Sequence, residues 1–250
     1  MLIGARQECI AGASDIAGKL AILRRFEYDF LELALTRDEV RALDAASPGP
    51  YREAIERTGV PILSTSMGFS NFAAGSPEER AAMGAELRAL LTFTAAIGAD
   101  AILLATTEEG DDPLAYADVY REALLPIADE AAGLGIMLAL EHVGWYKPWR
   151  LATLVRAIDH PGVRIYFDMG NCFYVGENPL EQATICAPLT GQLHIKGGPV
   201  APLAAMPLVA VREILAAAGF AGRGCLEIDS GKDNRPLAEA RGVLKMAGYW

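Results

Sequence analysis

An acidic or imidazole side chain closes each of four short apolar runs in the second half of the sequence. These residues are Glu141, Asp168, His194 and Glu227, and successive members are 27, 26 and 33 residues apart. Three carboxylates and one imidazole at one place need a cation, and oxygen ligands with one nitrogen suit Mn²⁺, Mg²⁺, Co²⁺ or Zn²⁺. A helix cap or an arginine partner explains any one acid equally well, but explains four at regular spacing poorly. The pattern predicts one divalent metal ion bound by these four residues.

A metal ion at such a site suits reactions that remove a proton from the carbon beside a carbonyl group. By holding the carbonyl and neighbouring hydroxyl oxygens, the ion stabilises the negative charge of the resulting enediolate. Carboxylates on opposite sides of the substrate plane then take a proton from one face and return one to the other, or one carboxylate shuttles it along a single face. The predicted catalytic pair is Glu141 and Glu227, which two intervening strands separate.

The elements that must position these residues repeat one unit: a short apolar run, a turn and an amphipathic helix. Eight such units in 250 residues are typical of a (β/α)8 barrel, an α/β fold whose catalytic groups lie at the C-terminal ends of its strands. A doubly wound sheet usually carries a glycine-rich phosphate turn, but the sequence contains neither GxGxxG nor GxxxxGK[ST]. No polar linker divides the chain, so we expect one barrel domain over residues 1–250. The predicted strands are Leu2–Ala5, Phe30–Leu35, Pro61–Ser66, Ala101–Ala105, Met137–Glu141, Arg164–Asp168, Gln192–Lys196 and Gly224–Asp229.

Helix boundaries are marked independently of the strands. Capping boxes and cap-then-proline pairs predict helix starts, and glycines before the next strand predict left-handed helix ends. The predicted starts are Thr36 with Glu39, Ser76 with Glu79, Asp112-Pro113 and Asn178-Pro179, and the predicted ends are Gly98, Gly133 and Gly219.

Four motifs in residues 136–230 carry a resemblance to a known family. Leu140-Glu141-His142, Phe167-Asp168-Met169-Gly170-Asn171, Leu193-His194-Ile195-Lys196 and Leu226-Glu227-Ile228-Asp229 resemble the metal-site motifs of the xylose isomerase-like barrel superfamily, in its sugar phosphate isomerase/epimerase branch. The resemblance implies that Glu141, Asp168, His194 and Glu227 bind one divalent ion. It also implies that the two glutamates move the substrate proton.

The chain departs from the related epimerases at two positions. They usually have a histidine where this chain has Asn171, and an arginine where it has Gly197-Gly-Pro-Val200. These departures argue against epimerisation of a free ketose, and the stretch from Asp168 to Asn171 resembles the isomerase and inosose-type dehydratase branches more closely.

Four further residues are predicted to bind substrate: Lys196, Asn171, Trp145 and Glu32. Lys196 would take the place of the missing arginine at a substrate oxygen or phosphate, although an ion-paired lysine is an equal alternative. Trp145 would stack on a sugar face, and a helix-capping aromatic is the alternative. His142 follows a ligand directly, so it should point away from the ion and pack or support a ligand.

These residues favour a metal-dependent isomerase or epimerase of a small keto-sugar, sugar phosphate or hydroxy-keto acid. A metal-dependent dehydratase of the inosose or dehydroshikimate type is close behind, because it begins with the same proton abstraction. An endonuclease IV-like repair enzyme uses a multi-zinc cluster with several histidines, and this chain has three histidines in all. A sugar-binding barrel without catalysis is the remaining alternative.

Composition restricts the partners. The net charge of -10 and pI near 4.9 argue against binding to nucleic acid or acidic lipid. No apolar run reaches membrane-spanning length, no signal peptide is recognisable, and the four cysteines form no CxxC pair, so we expect a cytoplasmic protein with reduced thiols. The apolar helix face of residues 208–220 packs either within the chain or against a second copy, so the sequence is compatible with a homo-oligomer.

Overall fold

A computed structural model of the chain describes residues 1–69, 71, 72, 75–107, 112, 114–197, 202–228 and 233–250. Within these residues, eight parallel strands close into a barrel in sequence order, and the last strand pairs back onto the first. The (β/α)8 prediction is confirmed. The strands are β1 (Ile3–Arg6), β2 (Phe30–Ala34), β3 (Ile62–Phe69), β4 (Ala101–Thr106), β5 (Met137–His142), β6 (Val163–Asp168), β7 (Thr190–Ile195) and β8 (Arg223–Leu226).

Helices surround the barrel, each with an apolar stripe toward the strands. In the helix over Pro148–Ile158, for example, the buried residues Leu151, Leu154, Val155 and Ile158 recur every three or four positions. The described helices are α1 (Ile16–Arg25), α2 (Arg37–Arg41), α3 (Pro48–Thr58), α4 (Pro77–Ala96), α5 (Ala117–Gly133), α6 (Pro148–Ile158), α7 (Met169–Tyr174), α8 (Pro179–Cys186), α9 (Leu208–Ala217) and α10 (Arg235–Met246), with 3₁₀ turns at Gln7–Cys9, Ala187–Leu189 and Leu203–Ala205. None of these helices is both long and apolar enough to cross a membrane.

Most of the predicted helix boundaries are confirmed. Both capping boxes form, Asn178 caps α8, and Gly98 and Gly219 adopt left-handed conformations.

Two boundary predictions are wrong. The left-handed residue after α5 is Gly135 rather than Gly133, because the helix runs through Gly133 and a second glycine is available two positions later. Asp112 accepts a hydrogen bond from the Leu114 amide but does not cap α5, which begins at Ala117. Pro113 and Asp229, named in the predicted boundaries, lie outside the described residues.

A small apolar layer inside the barrel supports the strand ends. Its members are Phe30, Leu103, Ala139, Tyr166 and Cys225, which form a cluster separate from the core between strands and helices. Alternating side chains face the same side of a strand, so the residue two positions beyond each member also points into the barrel, nearer its C-terminal mouth.

The next layer toward the mouth is charged. Four acidic residues each lie two positions beyond a member of the apolar layer: Glu32, Glu141, Asp168 and Glu227. His194 is paired in register with Asp168. Alternation within the strands therefore brings the predicted ligands to one level of the barrel.

Candidate metal centre

The four predicted ligands converge at the C-terminal end of the barrel. The Nδ1 atom of His194 lies 2.8 Å from Glu141 Oε1, 3.3 Å from Glu227 Oε2 and 3.8 Å from Asp168 Oδ2. One potential ligand atom from each residue lies within 4.8 Å of all the others. One ion can therefore contact all four side chains.

The two oxygens of Asp168 have different surroundings. Oδ1 accepts hydrogen bonds from the amides of Gly170 (2.7 Å) and Asn171 (3.0 Å), which caps α7. Oδ2 is buried and accepts no well-aligned hydrogen bond, although the Lys196 ammonium lies 2.8 Å away. Asp168 therefore anchors the following helix with one oxygen and directs the other into the centre.

Lys196 lies between two of the carboxylates. Its Nζ is 2.8 Å from Asp168 Oδ2 and donates a 2.9 Å hydrogen bond to Glu227 Oε2. Burial lowers the pKa of Lys196, but these two carboxylates outweigh burial and raise that pKa above its usual value. The side chain is therefore a cation at neutral pH, bound to two of the predicted metal ligands.

The pKa values of His194 and Asp168 are both raised in this group of carboxylates. Burial lowers the pKa of His194, but its carboxylate neighbours, led by Glu141, raise it well above the usual value. Burial raises the pKa of Asp168 to about 6, despite the nearby Lys196. The raised pKa values of Asp168 and His194 mean that added positive charge stabilises this group of carboxylates, and a divalent ion supplies such charge. Three oxygens and one nitrogen also match the donor set of a divalent ion.

Arg6 is a site residue that the sequence analysis missed. From the end of β1, its Nη1 lies 3.4 Å from Glu227 Oε1 and its Nε lies 3.5 Å from Glu32 Oε1. A signal was present, because a charged residue closes the first apolar run as it does in the later units. The predicted strand, however, ended one residue earlier, at Ala5.

Glu32 adjoins the four predicted ligands in the barrel interior. It is fully buried, and it accepts hydrogen bonds from His194 Nε2 (3.0 Å), Tyr166 Oη (2.6 Å) and Ser64 Oγ (3.0 Å). Both of its oxygens are therefore engaged within the protein, and Glu32 does not line either of the cavities at the mouth. Substrate binding by Glu32 stays a prediction.

Two adjoining cavities open at the mouth. A cavity of about 920 Å³ is lined by Arg6, Glu227, Lys196 and Tyr174 among others. A second cavity, of about 400 Å³, is lined by Gly144, Trp145, Asn171, Tyr174 and Lys196. Lys196 and Tyr174 border both cavities, and Tyr174 was not singled out in the sequence. Trp145, 84% exposed, and Tyr174, 54% exposed, present aromatic surface beside the centre.

Asn171 and His142 are tied together. The Asn171 side-chain amide donates a 2.9 Å hydrogen bond to the His142 carbonyl, so part of its capacity is used within the protein. The His142 ring is buried, packs 6.1 Å from the Phe167 ring, and has its pKa lowered to about 4 by burial. As predicted, His142 points away from the centre and packs.

The chain belongs to the xylose isomerase-like TIM barrel family, whose model matches residues 20–247. The resemblance seen in the motifs is thereby confirmed. No curated protein matches the chain in sequence.

Solved structures share the fold over the whole chain. D-psicose 3-epimerase from Clostridium cellulolyticum H10, solved with D-tagatose, has a TM-score of 0.80 and 17% identity, covering 100% of this chain and 99% of its own. The 3-keto-D-glucoside 4-epimerase YcjR from E. coli has a TM-score of 0.78 and 17% identity over 99% and 98%. A xylose isomerase-like TIM barrel protein from Mycobacterium smegmatis, in complex with magnesium, has a TM-score of 0.75 and 20% identity over 98% and 96%.

Proposed function

We propose that this protein is a divalent-metal-dependent isomerase or epimerase of a small keto-sugar, sugar phosphate or hydroxy-keto acid, acting by proton transfer through an enediolate. The observation that carries the proposal is the convergence of three carboxylates and one imidazole within 4.8 Å at the catalytic end of the barrel. Two of the structures that share this fold are named as sugar epimerases, and a third contains magnesium, which supports the assignment.

The residues that would hold the ion are Glu141, Asp168, His194 and Glu227. When bound, the ion supplies Lewis-acid stabilisation of the charge that develops on the substrate oxygens. The donor set suits Mn²⁺, Mg²⁺, Co²⁺ or Zn²⁺.

Glu227 and Glu141 are the proposed proton carriers. Glu227 borders the larger cavity, where its Oε1 faces Arg6 while its Oε2 faces Lys196 and His194. Burial raises the pKa of Glu227, but His194, followed by the two other cations, outweighs burial and lowers it, so this carboxylate is ionised and able to accept a proton. Glu141 approaches from across the centre, because β6 and β7 lie between the two glutamates.

Three side chains at the mouth would orient the substrate. Lys196 offers an ammonium group to a substrate oxygen or phosphate, and Asn171 offers the amide capacity that its hydrogen bond to His142 leaves. Trp145 would stack on a sugar face in the smaller cavity, with Tyr174 on its border.

Dehydration is the second candidate function. Lys196 Nζ lies 2.9 Å from Glu227 Oε2, which places a proton donor beside a base. After abstraction of the α-proton, the lysine would protonate a departing β-hydroxyl, which leaves as water. An endonuclease IV-like activity is not favoured, because His194 is the only histidine in the four-residue cluster of the described chain.

Metal loading followed by elemental analysis tests the proposal. We expect about one divalent ion per chain, and we expect Asp168→Ala and His194→Ala to lose it, because each removes one of four ligands. Asp129→Ala is the matched control, since Asp129 is an exposed residue that contacts His160 away from the centre. Equal metal contents in the parent and both ligand variants would show that the site is misassigned.

Activity is then screened with keto-sugars, their phosphates and hydroxy-keto acids, with products identified by NMR. An isomeric product supports the leading function, and a product lighter by one water supports dehydration. Metal binding with no turnover or solvent exchange in any substrate would instead support a binding protein.

A further inference from the structure

Two further charged residues adjoin the candidate metal centre, supplied by strands that carry none of the family motifs. Glu32 on β2 and Arg6 on β1 are paired in register, and Glu32 contacts His194 on the far side of the barrel. Neither residue has a role in the proton transfer proposed above.

The Glu32 carboxylate is fixed in place by its neighbours. Oε2 accepts hydrogen bonds from Tyr166 Oη at 2.6 Å and Ser64 Oγ at 3.0 Å. Oε1 lies 3.0 Å from His194 Nε2 and 3.5 Å from Arg6 Nε. With partners on both oxygens in a fully buried position, the carboxylate is held in one orientation and is shielded from water.

We infer that Glu32 is a positioning residue that sets which nitrogen of His194 binds the metal ion. An ionised carboxylate only accepts hydrogen bonds, so His194 Nε2 must carry the proton that it donates to Glu32. The lone pair of the neutral ring is then on Nδ1, the nitrogen that faces the other three ligands. This inference rests on the proposed function, because it requires that the centre bind a metal ion.

The packing of His194 points the same way. Its ring centroid lies 4.2 Å from that of Tyr166, whose hydroxyl donates the 2.6 Å hydrogen bond to Glu32. One aromatic side chain therefore limits the rotation of the imidazole and fixes the carboxylate that orients it.

Through Arg6, the same carboxylate also reaches Glu227. The guanidinium lies between the two acids, with Nε toward Glu32 and Nη1 3.4 Å from Glu227 Oε1. This contact leaves Glu227 Oε2 directed at the ligand cluster. Glu32 thus influences two of the four ligands without touching substrate.

The variant Glu32→Gln tests the inference. Its amide has nearly the same shape, but it offers an NH₂ group that can donate to Nε2 and so permit the Nδ1–H tautomer, which blocks the ligand position. We expect the Zn²⁺ affinity, measured by competition with a chelating dye, to fall by about 10- to 100-fold, the usual effect of losing such a partner. Ser64→Ala is the control, because it removes one donor to Oε2 and keeps the contact with His194; it should lose less than about 10-fold.

Nitrogen-15 NMR of the imidazole groups supplies a readout that a merely structural role would not change. The chain has three histidines, so the side-chain spectrum is simple to assign. In the Zn²⁺-loaded parent we expect His194 with a protonated Nε2 and a metal-bound Nδ1, and in Glu32→Gln a mixture of tautomers or loss of the metal-bound signal. Glu32→Asp, which keeps the charge but withdraws the carboxylate from His194 Nε2 by one methylene, is measured alongside; if Glu32→Gln fails to fold, its effect on affinity and tautomer decides the question.

The outcomes separate this inference from the proposed function. Zn²⁺ bound through Nε2 of His194 in the parent, or unchanged affinity and tautomer in Glu32→Gln, overturns the role of Glu32 while the metal centre stands. If Glu32→Gln does not fold, unchanged affinity and tautomer in Glu32→Asp have the same meaning. A parent that binds no metal ion overturns both.

Discussion

The two glutamates of the centre have unlike surroundings, although the proposed reaction gives them complementary tasks. Glu141 is almost fully buried and contacts His194, whereas Glu227 is 30% exposed and contacts Lys196 and Arg6 as well. In the proposed reaction, Glu227 would take the proton on the side of the cavity that it borders. Glu141 would serve the opposite face.

At this scale, solvent deuterium incorporation tests the pair. Turnover in D₂O should place deuterium on the product carbon beside the carbonyl, because the abstracting carboxylate exchanges its proton with water. Glu227→Gln and Glu141→Gln keep the shape of the side chain but remove the base, so each should slow exchange by about 10²- to 10⁴-fold. The rates are compared at saturating metal, with elemental analysis confirming occupancy. Product without solvent deuterium, or full activity in both variants, would contradict the assignment.

At the scale of the element, the strands and most helix ends could be predicted from local sequence chemistry. Each strand is an apolar run next to a turn, and the capping boxes at Thr36 and Ser76 form as predicted because their donors and acceptors are three residues apart. Gly133 shows the limit of such local rules, because Gly133 and Gly135 both fit them and the helix continues through Gly133 before the chain turns at Gly135.

The depth of a side chain in the barrel was harder to predict. Glu32 follows Phe30 on the inward face of β2, which the sequence allows. Its buried contacts depend on the register of β2 against β1 and β3 and on the hydrogen bond from Tyr166 across the barrel. These contacts join residues up to 134 positions apart, and no local pattern encodes them. The convergence of the four candidate ligands could be predicted because each one closes an apolar run.

The apolar layer beneath the charges gives a prediction about β1. A Cβ atom at Gly4 would lie 2.5 Å from the buried Phe30 ring, so Gly4→Ala should overpack the barrel and lower the free energy of unfolding by about 1–3 kcal/mol. Gly242→Ala is the matched control, because Gly242 lies in α10 with nothing within 4 Å of the added methyl, and it should raise stability by about 0.4–1 kcal/mol. Urea denaturation measures both. Equal stabilities for Gly4→Ala and the parent would mean that Phe30 can move aside.

At the scale of the whole molecule, the charges of the centre tie folding stability to pH and metal. Its four carboxylates, from Glu32, Glu141, Asp168 and Glu227, face three side chains that carry positive charge, His194, Lys196 and Arg6. In the absence of a metal ion, both nitrogens of His194 face carboxylates and both hold protons. A bound metal ion must displace the proton from Nδ1, so folding, protonation and metal binding are linked.

The linkage predicts opposite pH trends with and without metal. Burial lowers the pKa of His194, but its carboxylate neighbours raise it well above the usual 6.5. A group whose pKa is higher in the folded than in the unfolded protein adds to the free energy of unfolding. This contribution is complete at a pH below the unfolded-state pKa, and it is lost as the pH rises through the folded-state pKa. We therefore expect the Tm of metal-free protein to fall as pH rises above about 6.5, while metal affinity increases by up to about tenfold per pH unit for one displaced proton. The rise in Tm on adding metal should thus be larger at high pH, as calorimetry across this range would show. His194→Gln lacks the titrating group, so its metal-free Tm should not show this decline; a metal-induced rise in Tm that is constant with pH in the parent would contradict the linkage.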